Sequence, residues 1–556
     1  MRFLLAGTLA TLTVAGLAAI RPAVLTDDER AAARAIRENR MRADIRFLSS
    51  DLLEGRGPST RGDRLARAYL ASRFEAIGLE PGAPGGSWEQ AFDLVGVTAA
   101  GPDRLRVSKG AAGEDLRLLE DYVAWSGVQA PAARLDDAEI VFVGYGIVAP
   151  EHGWDDYKGA DLRGRVLLFL NNEPEADPLL VAGKRRLYYG RWDYKYEMAA
   201  RLGAAGAIII HTDASAGYGW KVVQSSWTGE QLSLPAVAGE PALPVKAWAR
   251  EQASQRIARL GGHDLDALRA AAERRDFHPV PLGVRLSLTL VNQVSRRSSA
   301  NVIGRLPGRD PVLSGEAVVY SAHHDHLGTK PGPTGEPVVY NGALDNASGL
   351  AAMLAIAEAF VALPERPRRS ILFAAVAAEE QGLLGSAYLA RHSPVPAGRL
   401  AANVNIDGMN IWGRTRDVPV IGLGKSSLDD WVRAIAEAQG RTVVPEAFPD
   451  KGAYYRSDHL SFARAGVPSV TVDAGTEVLG KPSGWGRDRQ REWEAAHYHQ
   501  PTDDLTAGWD FAGAVEDAQL LFLLGKKVAD APLAPVWRPG DEFEAARKKA
   551  LPELVR

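Results

Sequence analysis

The sequence contains no cysteine in its 556 residues. Thiol nucleophiles, disulfide frameworks, iron–sulfur clusters and cysteine-based zinc fingers are therefore excluded. Any metal ion in this protein must be held by imidazole and carboxylate groups, because these are the common ligand types that remain. The redox state of the compartment stays open, since a chain without thiols suits either side of a membrane.

The chain also lacks a large excess of positive or negative charge. The chain has 65 Lys and Arg residues against 69 Asp and Glu residues, which gives a formal net charge of −4 at pH 7. Charge therefore gives no reason to expect nucleic acid or an anionic membrane as a partner. Hydrophobic residues make up 46% of the chain and charged residues 24%. These fractions are typical of folded globular proteins and exclude disordered, collagen-like and coiled-coil chains.

Long apolar runs are lacking too, except at the N-terminus. Met1 and Arg2 form a short basic start, and residues 3–20 are apolar with small residues near their end. This pattern predicts a secretory signal peptide over residues 1–20, and hence a periplasmic or secreted protein. An uncleaved anchor helix is the alternative, because the run just reaches the ~18 residues that a membrane span needs. No later segment is expected to cross a bilayer.

The pattern of apolar residues after residue 301 predicts an α/β fold. Strand-like runs at residues 317–321, 371–376, 401–406 and 469–472 alternate with helical segments at 347–361, 428–438 and 511–524. This alternation predicts a mostly parallel, mixed central sheet with helices on both faces.

The N-terminal half has a different pattern. Residues 27–53 are charged and rich in alanine, which predicts a surface helix, and apolar residues at helical spacing over 65–77 predict a second helix. Strand-length apolar runs at 140–143, 166–170 and 207–210 flank a predicted helix over 192–202. Residues 130–275 are therefore expected to form a smaller mixed α+β unit.

Side chains that can bind metal follow three predicted strands where each strand ends. The run His323-His324-Asp325-His326 follows the first, Glu379-Glu380 the second, and Asp407 the third, while Asp345 opens a turn before a long helix. Each group alone has an ordinary structural interpretation, such as an Asx turn at Asp345. In open α/β sheets, however, ligands bind outside the carboxyl ends of the strands. The convergence of these groups on one sheet edge therefore predicts a metal site.

These segments also occur in the order seen in co-catalytic zinc exopeptidases. They are residues 321–328, the turn at 345–349, Glu379-Glu380, residues 405–407 and Tyr498-His499. Over about residues 40 to 530 the chain resembles the aminopeptidase branch of that family, which also contains glutamate carboxypeptidases and glutaminyl cyclases. The resemblance implies a zinc exopeptidase fold and two zinc ions, for which cobalt or manganese could substitute.

The resemblance implies one ligand set for each of the two ions. His323 and Asp407 would bind one zinc ion, Glu380 and His499 would bind the other, and Asp345 would bridge the two. His324 and His326 flank the ligand pair, but the spacing to Asp325 favours His323 as the ligand.

The resemblance also implies three further roles. Asp325 would hydrogen-bond His323 and fix its tautomer. Glu379 would be the general base, taking a proton from the attacking water and giving one to the leaving amine. Tyr498 would help to stabilise the oxyanion of the tetrahedral intermediate.

Part of the smaller unit resembles a protease-associated (PA) domain insert, through residues 143–147 and 203–210. The expected organisation is a signal peptide at 1–20, an N-terminal part of the peptidase domain at 21–129, the PA-like insert at 130–275 and the main part of the peptidase domain at 276–556. The insert would cover the cleft; a stabilising insertion without substrate contact is the alternative. Residues 454–459 also resemble a segment near the cleft, without an assigned role.

The sequence thus predicts an exported two-zinc exopeptidase that removes N-terminal residues from peptides. Peptides are the expected partners; nucleic acid is not, nor is a membrane beyond the anchor alternative. A glutamate carboxypeptidase-like enzyme that cleaves at the C-terminus is the main alternative. A glutaminyl cyclase and a non-catalytic binding protein of the same fold are further alternatives, although an intact ligand set disfavours the last. The sequence indicates neither the side-chain preference nor the oligomeric state.

Overall fold

A computed structural model describes residues 25–175, 186–332 and 334–551. The predicted signal peptide, residues 1–20, lies outside the described residues. The helices are Asp27–Ala33, Glu38–Leu48, Arg61–Ile77, Trp192–Arg201, Asp213–Ala216, Trp220–Ser226, Glu251–Leu260, Leu265–Ala272, Gly349–Val361, Leu384–Arg391, Leu428–Ala438, His459–Arg464, Trp485–His497, Ala512–Asp530 and Glu544–Ala550.

Most strands belong to one continuous hydrogen-bonded sheet. The strands are Glu80–Pro81, Glu89–Ala100, Arg104–Lys109, Ala112–Arg117, Tyr122–Ser126, Ala132–Phe142, Val148–Ala149, Trp154–Asp155, Val166–Leu170, Gly206–His211, Glu230–Ser233, Val245–Arg250, Val280–Leu306, Ala317–His323, Gly328–Pro331, Pro337–Tyr340, Ser370–Val376, Leu400–Asn405, Asp417–Ile421, Thr442–Pro445 and Ser469–Val472.

The C-terminal half of the sheet has four adjacent parallel strands. In spatial order they are Ser370–Val376, Ala317–His323, Leu400–Asn405 and Ser469–Val472. Val280–Leu306 pairs antiparallel on one side of them and Asp417–Ile421 on the other. This topology confirms the predicted mixed, mostly parallel sheet.

Helices cover both faces of this half, because successive strand residues point to opposite faces. Val318 and Tyr320 pack in one core with helices Gly349–Val361 and Ala512–Asp530. Their neighbours Ala317 and Val319 pack in another core, together with side chains of helices Leu384–Arg391 and His459–Arg464. The buried strands are apolar on both faces, as expected for parallel strands between helices.

The single surface helix predicted over residues 27–53 is wrong. Two helices, Asp27–Ala33 and Glu38–Leu48, occupy this region and a 3₁₀ turn follows them. Met41, Ile45 and Leu48 are fully buried, and the second helix packs against Gly349–Val361. Their spacing forms an apolar stripe on one helical face, which the many charged residues around it obscure in the sequence.

A second core lies in the N-terminal half, and it includes most of the expected insert. Ala132–Phe142, Val166–Leu170, Gly206–His211 and Val245–Arg250 form parallel neighbours in that order. Side chains from residue 105 onward join the same core. The assignment of residues 130–275 as a PA-like insert stays a prediction.

The strand Val280–Leu306 connects the two halves and was not predicted from the sequence. Its first part pairs with Ala132–Phe142 and its last part with Ser370–Val376. Val284, Leu286, Leu288 and Leu290 are buried and alternate with half-buried or exposed residues. This period of two is the sequence signal that would have identified the strand.

By length and apolarity, one stretch of the described residues could cross a membrane, contrary to expectation. It is Ala343–Val361, and 83% of it is buried inside the structure. Its helical part packs on the central sheet and on helix Ala512–Asp530. Its apolar character is therefore that of a core helix.

Candidate metal centre

The predicted site residues meet at the carboxyl edge of the parallel strands. His323 is the last residue of Ala317–His323, Glu379 lies three residues beyond Ser370–Val376, and Asp407 lies two residues beyond Leu400–Asn405. Asp345 lies in the turn before helix Gly349–Val361. The parallel register therefore delivers side chains that are distant in sequence to one place.

Asp345 lies at the centre of the cluster and faces two imidazoles. Its Oδ1 is 3.1 Å from His323 Nε2, and its Oδ2 is 3.3 Å from His499 Nε2. His323 Nε2 is also 3.3 Å from Asp407 Oδ1, and His499 Nε2 is 3.2 Å from Glu380 Oε2. The residues thus form two adjacent groups that share the Asp345 carboxylate.

The spacing within both groups fits zinc. Zinc binds nitrogen and oxygen ligands at about 2.0–2.1 Å in a tetrahedron, which places two ligand atoms about 3.3 Å apart. The four nitrogen–oxygen separations around Asp345 are 3.1–3.3 Å. The donors are imidazole and carboxylate alone, a set that zinc accepts and that cobalt and manganese also accept. The residues present therefore fit two divalent cations.

A third imidazole, that of His326, also reaches the cluster. His326 Nδ1 lies 2.6 Å from Glu380 Oε1. Both ring nitrogens of His326 and Glu380 Oε1 are buried, without a hydrogen-bond partner in the described part of the chain. His326, Asp345 and Glu380 form a possible ligand group by distance. His326, which the spacing in the sequence did not favour as a ligand, is thus a second candidate metal ligand beside His499.

Replacing the two histidines separately should distinguish between them. His499 lines the cavity beside the cluster, whereas His326 is fully buried behind Glu380. We expect His499→Ala to lower the bound zinc by one ion per chain and His326→Ala to retain both ions. Metal analysis of the dialysed variants by mass spectrometry measures this directly. Loss of an ion from His326→Ala alone would reverse the assignment.

Asp325 contacts a different group from the one predicted. Its carboxylate lies 4.0 Å from His323 Nδ1, which is too far for a hydrogen bond. His323 Nδ1 instead lies 3.1 Å from the backbone oxygen of Asp325. The carboxylate accepts hydrogen bonds from the backbone N–H groups of Glu379 and Glu380, at 3.0 and 3.3 Å. Asp325 therefore positions the glutamate pair as well as the imidazole.

A cavity of about 300 Å³ opens beside the cluster. Glu379, Asp407, Tyr498 and His499 line one side of it, and the Tyr498 ring stacks on the His499 ring with 3.9 Å between centroids. The apolar lining residues include Met409, Trp412, Ile421 and Phe448. The predicted base and the predicted oxyanion donor thus share one cavity with the predicted ligands Asp407 and His499.

The electrostatics of the cluster follow from its crowded carboxylates. Burial opposes the charge of His499, but Glu380 and Asp345 outweigh it and raise its pKa to about 10. Burial and the charges of Glu380, Asp407 and Asp458 hold the pKa of Glu379 well above its usual value, although His323 opposes them. Bound divalent cations would supply the positive charge that the imidazoles supply in this structure.

The residues that hold the loops of the cluster in place were not predicted from the sequence. The guanidinium of Arg56 is fully buried and donates to backbone oxygens of Leu48, His324, Asn341 and Gly342. It therefore ties the loop of His323 to the turn of Asp345. A lone arginine far away in sequence offers no pattern that would have identified this role.

Two buried carboxylates complete this support. Asp503 accepts hydrogen bonds from the backbone N–H groups of Leu344 and Asp345, at 2.9 and 3.1 Å. Asp63 Oδ1 lies 3.0 Å from His324 Nε2. His324 therefore points away from the cluster, as the sequence argument expected. The position of Asp503 four residues after His499 is the signal that could have identified it.

Comparison with known proteins gives an independent result for the C-terminal half. The sequence profile of Peptidase family M28 matches residues 301–523. The chain is 31% identical over 163 residues to "Aminopeptidase NAALADL1" of Rattus norvegicus, covering 27% of this chain and 20% of that protein. It is 27% identical over 213 residues to "Aminopeptidase YwaD" of Bacillus subtilis (strain 168), covering 38% and 41%. The chain thus spans less than half the length of either relative.

A solved structure shares the fold over nearly the whole length. The aminopeptidase from Aneurinibacillus sp. strain AM-1 superposes with a TM-score of 0.50 and 19% sequence identity, over 92% of this chain and 98% of that one. The matched residues 301–523 include Glu379 and all five predicted ligands. Over these residues, which are less than half of the chain, it is similar to peptidase family M28.

Proposed function

We propose that this protein is a metallo-exopeptidase that uses two zinc ions to release the N-terminal residue of peptides. The observation that carries this proposal is Asp345, whose two oxygens face two separate histidine–carboxylate groups at ligand spacing. His323 and Asp407 would hold one ion, and Glu380 and His499 the other. Similarity to peptidase family M28 over residues 301–523 supports hydrolysis of peptide bonds as the reaction.

Each of the site residues has a definite part in this reaction. When held by His323, Asp407, Glu380, His499 and Asp345, two zinc ions would supply the Lewis acidity that polarises the scissile carbonyl and lowers the pKa of water. Glu379 accepts the proton of the attacking water and returns it to the leaving amine. Tyr498 donates its hydroxyl proton in a hydrogen bond to the oxyanion, and its ring position is set by stacking on His499. Asp325 holds Glu379 and Glu380 in place through their backbone N–H groups.

Cleavage at the N-terminus is the part of the proposal that rests on relatives. The two curated relatives and the solved structure reported above all carry the name aminopeptidase. A C-terminal exopeptidase would use the same cluster, so the substrate terminus must be tested separately. We also propose export through residues 1–20 and a PA-like character for residues 130–275.

The test compares one panel of short peptides with free and with acetylated N-termini. We expect hydrolysis of the free peptides, loss of it after chelation, and recovery when zinc is added back. Acetylation should abolish cleavage, because an aminopeptidase recognises the free terminal amine. Zinc-dependent cleavage that ignores acetylation would instead support the C-terminal exopeptidase. No cleavage of either set would contradict the proposal as a whole.

A further inference from the structure

Two long cationic side chains, Lys451 and Arg456, line the cavity. They differ in whether a carboxylate of the described part of the chain pairs with them. Lys451 Nζ lies 2.6 Å from Glu494 Oε1 and sits 4.7 Å from the Phe448 ring centre. Arg456 also lines the cavity, but it has neither an ion pair nor a side-chain hydrogen bond within residues 25–175, 186–332 and 334–551. Carboxylates of Glu494 and Asp473 line the same cavity. The Arg456 guanidinium is thus available to an anion from outside the chain.

The backbone around Arg456 is rigidly held, so this exposure is built into the fold. Every residue from Tyr454 to Ser461 is buried except Arg456. On one side, the Tyr455 hydroxyl donates to Glu542 Oε1 at 2.7 Å; on the other, the Ser457 hydroxyl accepts from Asn405 Nδ2 at 2.8 Å. A single charged side chain therefore projects from an otherwise buried segment into the cavity.

Residues 188–197, which lie in the N-terminal half of the chain, pack against this segment and against the helix that follows it. The rings of Tyr188 and Tyr455 lie 6.1 Å apart between centroids. Arg464, in the following helix, pairs with Glu197 at 2.9 Å. Arg456 thus lies where the N-terminal half of the chain meets the C-terminal half, which carries the candidate metal ligands.

Arg456 and Tyr498 line the same cavity, together with Glu379 and His499. A peptide bound with its scissile carbonyl at Tyr498 would therefore have its neighbouring groups in the cavity that Arg456 also lines.

We propose that Arg456 binds a carboxylate of the peptide substrate, on the leaving-group side of the cleaved bond. This inference rests on the proposed function. A planar guanidinium pairs with a carboxylate through two parallel hydrogen bonds, which gives both energy and orientation. A cavity of about 300 Å³ suits a short peptide. The C-terminal carboxylate of a dipeptide is therefore the favoured anion, and an acidic side chain at the second position is the other source.

Matched dipeptides test the proposal without depending on overall activity. The substrates are alanyl-alanine, its C-terminal amide, and alanyl-aspartate amide, which carries its carboxylate on a side chain. In the wild-type enzyme, kcat/KM for alanyl-alanine should exceed that for its amide by about 10- to 100-fold, the range of a charge-assisted hydrogen bond. In Arg456→Gln this preference should disappear, while hydrolysis of the amide changes by no more than about twofold. A misfolded variant would lose hydrolysis of all three substrates and would also show an altered circular dichroism spectrum, which identifies it.

Two control variants separate the guanidinium from charge in general. Arg491→Gln removes one positive charge from a side chain that lies over Phe448 at the cavity wall, and it should keep the wild-type preference. Arg456→Lys keeps the charge without the planar fork and should keep part of the preference. If Arg456→Gln instead loses hydrolysis of alanyl-aspartate amide and keeps the preference for alanyl-alanine over its amide, the recognised carboxylate is the one on the side chain.

The outcomes are distinguishable from failure of the proposed function. Equal loss of all three peptides in Arg456→Gln, or unchanged preference, would overturn the role of Arg456 while leaving the exopeptidase proposal intact. Hydrolysis of none of the free dipeptides by the zinc-loaded wild-type protein would overturn the exopeptidase proposal, and this inference with it.

Discussion

Glu379→Gln is expected to retain zinc and to lose nearly all turnover. Glutamine has the shape of glutamate but cannot accept the proton of the attacking water. General-base catalysis contributes about 10²- to 10⁴-fold, so kcat should fall by that factor. Glu379 lines the cavity, whereas Glu380 faces His499 and His326. Turnover of a free short peptide and zinc content in the same preparation measure both parts of the prediction.

The neighbouring glutamate provides the matched control. Glu380→Gln makes the same chemical change one residue away, but we expect it to weaken zinc binding, because Glu380 Oε2 lies 3.2 Å from His499 Nε2. A fully active Glu379→Gln enzyme with unchanged zinc would reject Glu379 as the base. Loss of zinc from Glu379→Gln would show that the two glutamates have been assigned the wrong way round.

Arg56→Met should cause the largest loss of stability. Burial lowers the pKa of the Arg56 guanidinium to about 10, although the charges of Asp325, Asp503, Asp345 and Glu380 oppose this. Its replacement leaves the four buried backbone oxygens that it contacts without a donor. Each unsatisfied buried acceptor costs about 1–3 kcal/mol, so we expect the unfolding free energy to fall by at least about 3 kcal/mol. Urea unfolding of the zinc-loaded protein, followed by circular dichroism, measures this cost.

An arginine on the nearby helix Glu38–Leu48 serves as the control. Arg46 is exposed, and Arg46→Met should change the unfolding free energy by no more than about 0.5 kcal/mol. Arg56→Lys keeps the charge but cannot reach four backbone oxygens, so its stability should lie between those of the wild type and Arg56→Met. An Arg56→Met protein as stable as Arg46→Met would show that Arg56 does not hold the site together.

Much of the C-terminal half could be predicted because its signals are local. Each parallel strand is a short apolar run, and the sheet fixes the position of the metal-binding side chain that follows the strand. The strand predicted over 469–472 has the bounds that the structure has, and the helix over 428–438 likewise. His323, Glu380, Asp407 and His499 therefore lie near each other as the sequence order suggested.

The features that could not be predicted depend on contacts between distant parts of the chain. Arg56 is 268 residues from the His324 backbone oxygen that it binds. The geometry of Asp325 depends on how the loop after strand Ser370–Val376 turns back toward it. The role of His326 depends on a side-chain direction that spacing alone leaves open. Such contacts have no period and no short motif, so only the folded structure reveals them.

The number of zinc ions bound per chain tests directly whether this protein has a two-metal centre. We expect two ions per chain in the wild-type protein after dialysis, measured by mass spectrometry. Asp345→Ala should weaken both sites, because its two oxygens face both histidine–carboxylate groups, whereas Asp407→Ala should weaken one. A single ion in the wild type, or two ions retained in Asp345→Ala, would contradict the shared two-metal centre.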